Sequence, residues 1–276
     1  MLNQLTAPIE TVGRLTIKAC RGPLELFGGL SLLFAQTARL ILRGLFTPSA
    51  INRAALAAQM VRVGVRAIPI ILLVQLAIGM ILPLQMFPQL SLYGQQDQVA
   101  TINAIAAFRE LGPLMTAIVL SGFAGASIAA ELGAMVTAEE IEALQAMALS
   151  PIRFLVVPRL LATVIMMVLL TVIADLTMVL GGFLTSLGLG VDPHIYYQLS
   201  VTAVNLTGFA TGLVKAAVYG LLIGLISCRL GLSVKPASGS AGVGRATTNT
   251  VVYSIVAIIL AAALFTVIFY SYGLFS

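Results

Sequence analysis

The chain has 276 residues, of which 59% are hydrophobic and only 9% charged, and its mean hydropathy is +1.06. Soluble domains carry roughly 25% charged residues, so this composition excludes a soluble globule. The net charge of +5 does not indicate nucleic acid, because the charges fall between long apolar runs and no polar face interleaves basic residues with aromatics.

In chain order, residues 1–21 hold Glu10, Arg14, Lys18 and Arg21 without a continuous apolar run. That pattern predicts no cleavable signal and insertion through the chain's own spans. Residues 22–46 are apolar with basic residues on both flanks, which favours an amphipathic helix in the cytoplasmic interface over a sixth span. Five later segments supply the ~20 apolar residues that a crossing needs. The first lies between Arg66 and Asp97, with Pro69, Pro83 and Pro88 as predicted kinks; the others cover residues 99–130, 154–189, 206–228 and 248–272.

Every lysine and arginine except Arg109 and Lys215, which fall inside segments, lies in a piece on one side of the membrane. The loops around Asp97 and Asp192 carry none, so the basic side is cytoplasmic. The expected fold class is an all-α integral membrane protein with five transmembrane helices plus an N-terminal interfacial amphipathic helix. Its N-terminus is cytoplasmic and its C-terminus periplasmic. Residues 1–66 form the cytoplasmic-face segment and residues 67–276 the five-helix domain, with a long inner loop at 131–159.

In that loop Thr137 followed by Glu140 reads as a capping box. It predicts a short helix from Thr137 to Ala148 with Glu139, Glu140 and Glu142 on one side and Ile141, Leu144 and Met147 on the other. Such a helix is either a plug for a partner's groove or a solvated connector. At ~1.5 Å per residue, Arg109 and Glu110 sit near the outer headgroup level, and Asp175 and Lys215 reach similar depth. Asp175 and Lys215 therefore either pair across the third and fourth spans or snorkel separately.

Gly122, Ala126 and Ala130, with Gly125 and Ala129, form small-residue stripes that favour internal packing over a dimer seam. His194, Tyr196 and Tyr197 read as interfacial anchors. Cys20 and Cys228 lie in no metal or disulfide pattern. No GxxxxGK[ST] occurs, so the chain carries no P-loop.

Glu142-Ala143-Leu144, the run from Ala148 through Ser150, Pro151 and Arg153, and Pro158 resemble the coupling loop of ABC importer permeases. More widely, RELGPLMTAIVLSGFAGASIAAELGAMVTAEEIEALQAMALSPIRFLVVPR at 109–159, LVKAAVYGLLIGLISCRLGL and GVGRATTNTVV resemble the MlaE/YrbE family of MCE-associated permeases. Phe123 after Gly122, where many relatives have arginine, and Ala148, where they have glycine, depart from the family pattern.

The resemblance implies a homodimeric permease in the cell inner membrane. A cytoplasmic ATPase dimer, which binds ATP and magnesium, would drive it, and it would pass phospholipid to or from an MCE-domain protein. It implies coupling contacts at Glu139, Glu140, Glu142, Leu144, Pro151 and Arg153. It also implies a lipid cavity near Leu82, Gln85, Phe87, Leu90, Tyr93, Arg109 and Glu110. The rival class is an ion-coupled secondary transporter using Asp175 and Lys215, for which inverted repeats are expected and not found. An intramembrane enzyme lacks paired catalytic groups at matching depth.

Overall fold

The computed structural model describes residues 28–42 and 53–273, in two compact units, Met1–Ala50 and Ile51–Ser276. The first unit contributes α1 (Gly28–Leu42), a short apolar helix in which Thr37 Oγ1 donates to the Leu33 carbonyl at 2.7 Å. The flanks of the predicted interfacial segment lie outside the described residues.

The second unit is built from five rods long and apolar enough to cross a membrane: Arg53–Leu92, Gln98–Thr137, Ile152–Gly188, Leu206–Leu232 and Pro236–Ser271. Every element among the described residues is helical. The first rod joins α2 (Arg53–Val63) to α3 (Ile68–Leu92) through a 3₁₀ turn, Val65–Ala67. Helix α2 packs on the third rod and buries Val63. Pro83 and Pro88 lie inside α3 as predicted, but Pro69 occupies the first turn, where its missing N–H leaves no orphan acceptor.

The second rod comprises α4 (Gln98–Ala106), α5 (Gly112–Leu120) and α6 (Ala126–Thr137), with π-helical turns at Ala107–Leu111 and Ser121–Gly125 between them. A π-helical turn at Ile152–Val156 leads into α8 (Val157–Gly188) of the third rod. Then come α9 (Pro193–Ala203), α10 (Leu206–Leu232) and α11 (Gly239–Ser271). The core centres on α8, which packs against α2, α3, α4, α5 and α10 and buries Met167, Leu170 and Met178 completely.

Close approach sets the α3/α8 crossing. A Cβ on Gly79 would fall 2.0 Å from the Met178 carbonyl oxygen, and one on Gly181 would fall 2.5 Å from that of Leu76. The stripe of Gly125 and Ala129 packs internally, as expected: Gly231 of α10 approaches the Ala129 carbonyl so closely that a Cβ would stand 3.0 Å from it. Gly122, by contrast, faces open space.

Between the second and third rods lies α7 (Glu140–Ala146), shorter than the predicted Thr137–Ala148 helix. The capping box does not form. Thr137 is the last residue of α6, its hydroxyl donates to the Ala134 carbonyl at 2.9 Å, and the chain turns at Glu139 with φ 60°. At its other end α7 closes as α3 and α8 do, with a left-handed residue and a six-residue hydrogen bond back into the helix. In α3 and α8 that residue is Gly94 or Gly190, whereas in α7 it is Ala148, at φ 58°. Leu149 N–H donates to the Leu144 carbonyl at 3.0 Å, and Ala148 N–H to that of Gln145 at 2.9 Å.

A Cβ in this conformation costs roughly 1–2 kcal/mol, offset by the smaller unfolded-state entropy of alanine. Ala148→Gly is therefore expected to stabilise the end of α7 by about 0.5–1 kcal/mol, read as slower hydrogen exchange of amides 144–149. Equal or faster exchange would show that no strain is held there.

Candidate functional site

The chain concentrates its buried charge at two levels, one in the half of the bundle towards α9 and one at the end that carries α7. The first begins with a proline. Pro113 has no N–H to give the carbonyl of Arg109, four residues earlier, so this carbonyl lacks its helical donor. Lys215 of α10, fully buried, donates to it at 3.1 Å. The same ammonium forms a close ion pair with Glu110 Oε1 and lies 3.4 Å from Thr266 Oγ1 of α11. Thr266 Oγ1 also donates to Glu110 Oε1 at 2.5 Å, and the ammonium stands 5.6 Å from the Phe269 ring centroid. The π-helical turn at Ala107–Leu111 brings a carbonyl and a carboxylate to one cation, which binds the second, fourth and fifth rods together.

Of the readings left open for Asp175 and Lys215, the structure shows an ion pair of Lys215 with Glu110. Asp175 lies against Gly112, whose Cβ would stand 1.7 Å from Asp175 Oδ1. Asp175 approaches the second rod from α8 and Lys215 approaches it from α10. Asp175 is 1% exposed and its Oδ1 makes no hydrogen bond. Beside it Gln75 Nε2 donates to the Gly112 carbonyl at 3.2 Å and to Thr116 Oγ1 at 3.1 Å.

The residues expected to share a lipid cavity separate into two groups. Leu82, Gln85, Phe87, Leu90 and Tyr93 lie on the last turns of α3, where Tyr93 is 79% exposed. Only Phe87 packs inward among them towards the cluster of Ala100, Val191 and Tyr196. Arg109 and Glu110 instead face α10 and α11. Arg109 lies along Gly208 beside the edge-to-face pair of Phe108 and Phe209. One cavity of about 360 Å³ opens between α8 and α9, lined by Leu176, Val179, Leu180, Phe183, Tyr197 and Ser200 among others.

Tyr196, expected as an interfacial anchor, is a core residue. Its hydroxyl accepts from Asn103 Nδ2 at 3.1 Å and donates to the Val179 carbonyl at 3.1 Å. Tyr197 stays 65% exposed.

At the α7 end, one oxygen of Glu131 accepts from Arg62 Nη1 at 2.7 Å and from Arg159 Nη2 at 2.9 Å. Reading the basic residues for topology alone missed this triad. Its signal was a single carboxylate closing an apolar span among arginines. Below it α7 buries no residue: Glu139, Glu140 and Glu142 are exposed, Ile141 and Leu144 half-buried, and Met147 is 62% exposed. Pro151 begins the leg that returns to the bundle, and Arg153 lies in its π-helical turn. Among the described residues no group of histidine, cysteine and carboxylate side chains could hold a metal.

A profile described as Permease MlaE matches residues 56–268. The chain is 34% identical over 209 residues, 75% of this chain and 80% of the other, to a probable ABC transporter permease protein of Rickettsia typhi. It is 33% identical over 262 residues to one of Rickettsia felis, covering 95% and 97% respectively. It is also 30% identical over 204 residues, 74% of this chain and 58% of the other, to the chloroplastic protein Trigalactosyldiacylglycerol 1 of Arabidopsis thaliana.

Removing one partner of a buried ion pair strands the other. Lys215→Met is expected to cost on the order of 3 kcal/mol, the low end for a broken buried pair because Glu110 stays partly open. Lys215→Met with Glu110→Leu should recover most of that loss, as read from thermal unfolding in detergent. A double variant no better than the single one would show that the pair is not what holds the three rods.

Proposed function

The chain belongs to the MlaE permease family, and from that footing we propose that it carries phospholipid between the inner membrane and an MCE-domain protein. ATP hydrolysed on a separate subunit drives the movement. The permease is a multi-pass membrane protein; its lipid, its partners and its compartment are the proposed part.

One observation carries the motor half of the reading. Helix α7 projects from the bundle with no buried residue and displays Glu139, Glu140 and Glu142 around the half-buried Ile141 and Leu144. Met147 and, on the returning leg, Phe154 at 46% exposed stand beside it. An acidic-apolar helix of this kind fits a groove in a partner, and the chain itself carries no GxxxxGK[ST] motif with which to hold a nucleotide. The ATPase subunits would bind ATP and magnesium, and their closure would shift α7 and the rods attached to it as rigid bodies.

The lipid half is supported by chemistry at the other end. The last turns of α3 expose Leu84, Leu92 and Tyr93 beside Gln85, an apolar surface with a few polar groups such as an amphipathic ligand needs. The most apolar 18-residue stretches of the first and fifth rods are only 28% and 17% buried, leaving broad apolar flanks that a second copy would cover to enclose a cavity. The name of the Arabidopsis relative contains a diacylglycerol lipid, consistent with a two-tailed substrate. Lys215, one of the two residues of the ion-gradient alternative, is engaged by Glu110, Thr266 and the Arg109 carbonyl.

Two outcomes are expected. Glu139→Lys with Glu140→Lys abolishes co-purification of the ATPase subunit while the permease still reaches the membrane; undiminished recovery of the ATPase would remove the docking assignment. Photo-crosslinkers placed at Leu82 and Tyr93 capture phospholipid, identified by mass spectrometry, and no adduct at either position would remove the lipid-site assignment.

A further inference from the structure

Helix α7 touches the bundle through two legs, and one guanidinium holds both. Arg159, whose side chain is 6% exposed, donates through Nη2 to Glu131 Oε1 on the leg that enters α7. Through Nη1 it donates at 2.9 Å to the carbonyl of Leu155, in the π-helical turn of the leg that leaves it. The planar fork of arginine can join two acceptors in this way without a change of rotamer.

The same oxygen of Glu131 takes a third strand of the network, Arg62 Nη1, from α2. That helix is otherwise seated on α8 at Gly64, where a Cβ would overlap Met166. It continues through the turn at Val65–Ala67 into α3. Because Arg159 is 6% and Glu131 25% exposed while Arg62 remains 43% exposed, the more buried half fixes the legs and the exposed half links them to the first rod.

We propose that Arg62, Glu131 and Arg159 form the joint through which displacement of α7 reaches the first rod, and with it the exposed turns near Leu82 and Tyr93. Arg62 and Glu131 act as positioning residues for coupled transport. The assignment rests on α7 being the helix that docks the ATPase. It adds that docking alone is insufficient: without the charge link to α2, the motor turns over and the first rod does not follow.

The complex is purified with its ATPase, reconstituted in phospholipid vesicles, and assayed in parallel for ATP hydrolysis and lipid transfer. Arg62→Gln is the primary variant, since the side chain is partly exposed and its loss leaves the buried Arg159–Glu131 contact in place. ATPase recovery is expected to be unchanged, hydrolysis to stay within about twofold, and lipid transfer to fall about tenfold. Arg62→Lys, which keeps a cation within reach, restores transfer. Transfer that is unchanged in Arg62→Gln, that falls in step with hydrolysis, or that Arg62→Lys does not restore overturns the proposal. A wild-type chain that brings down no ATPase defeats the docking assignment instead, a result separate from any of these.

Discussion

In hydrocarbon a polar group finds its partner in the protein or has none, and among the described residues that constraint bears hard on Lys215. A fully buried ammonium is tolerable only because three acceptors converge on it from two other rods. One of them exists because Pro113 cannot serve the carbonyl of Arg109. The proline creates an orphan acceptor and the lysine answers it, so two features that would each be costly alone become mutual support. The π-helical turn before Pro113 adds the residue needed to aim both the Arg109 carbonyl and the Glu110 carboxylate at the same point.

The consequence is a bundle whose polar contacts sit in a few places and whose remaining surfaces are packed by shape. Gly79 against Met178 and Gly181 against Leu76 bring α3 and α8 to backbone contact, and Gly231 does the same for α10 against the second rod. Interfaces of this kind slip between discrete arrangements and do not bend. The first and fifth rods, with the least buried surface, are the ones free to meet something other than this chain. A helix outside the bundle, α7, is attached by two legs that meet at Arg159. The architecture has the form of a lever: an exposed handle, a charged joint, and long stiff arms whose far ends carry the apolar turns of α3.

Hydropathy and the placement of lysine and arginine made the five rods legible in the amino-acid sequence, because membrane crossing imposes length and apolarity on contiguous residues. Pairings between rods were less legible. Depth alone left Asp175 and Lys215 as either a pair or two separate charges, and depth carries no information about azimuth, which turns Lys215 to Glu110. Arg109, placed at the level of Tyr93 by the same reasoning, lies along Gly208 of α10. Thr137 and Glu140 matched a capping box in spacing, yet the helix entering from the membrane had already claimed the threonine hydroxyl. Ala148 shows the converse case. The left-handed backbone there favours glycine, a constraint invisible until the fold is seen. The Arg62–Glu131–Arg159 triad was visible only as two arginines counted for topology and a glutamate opening the inner loop, since contacts among residues so far apart in sequence follow from packing.

The most direct test of the central claim, that this permease takes its power through α7, is to replace Leu144 with a photo-crosslinking residue and irradiate intact membranes. The account predicts a single dominant adduct with an ATPase subunit, reduced when the nucleotide-binding partner is absent. An adduct with some other protein, or none from Leu144 while a control position in the bundle labels lipid normally, would contradict it.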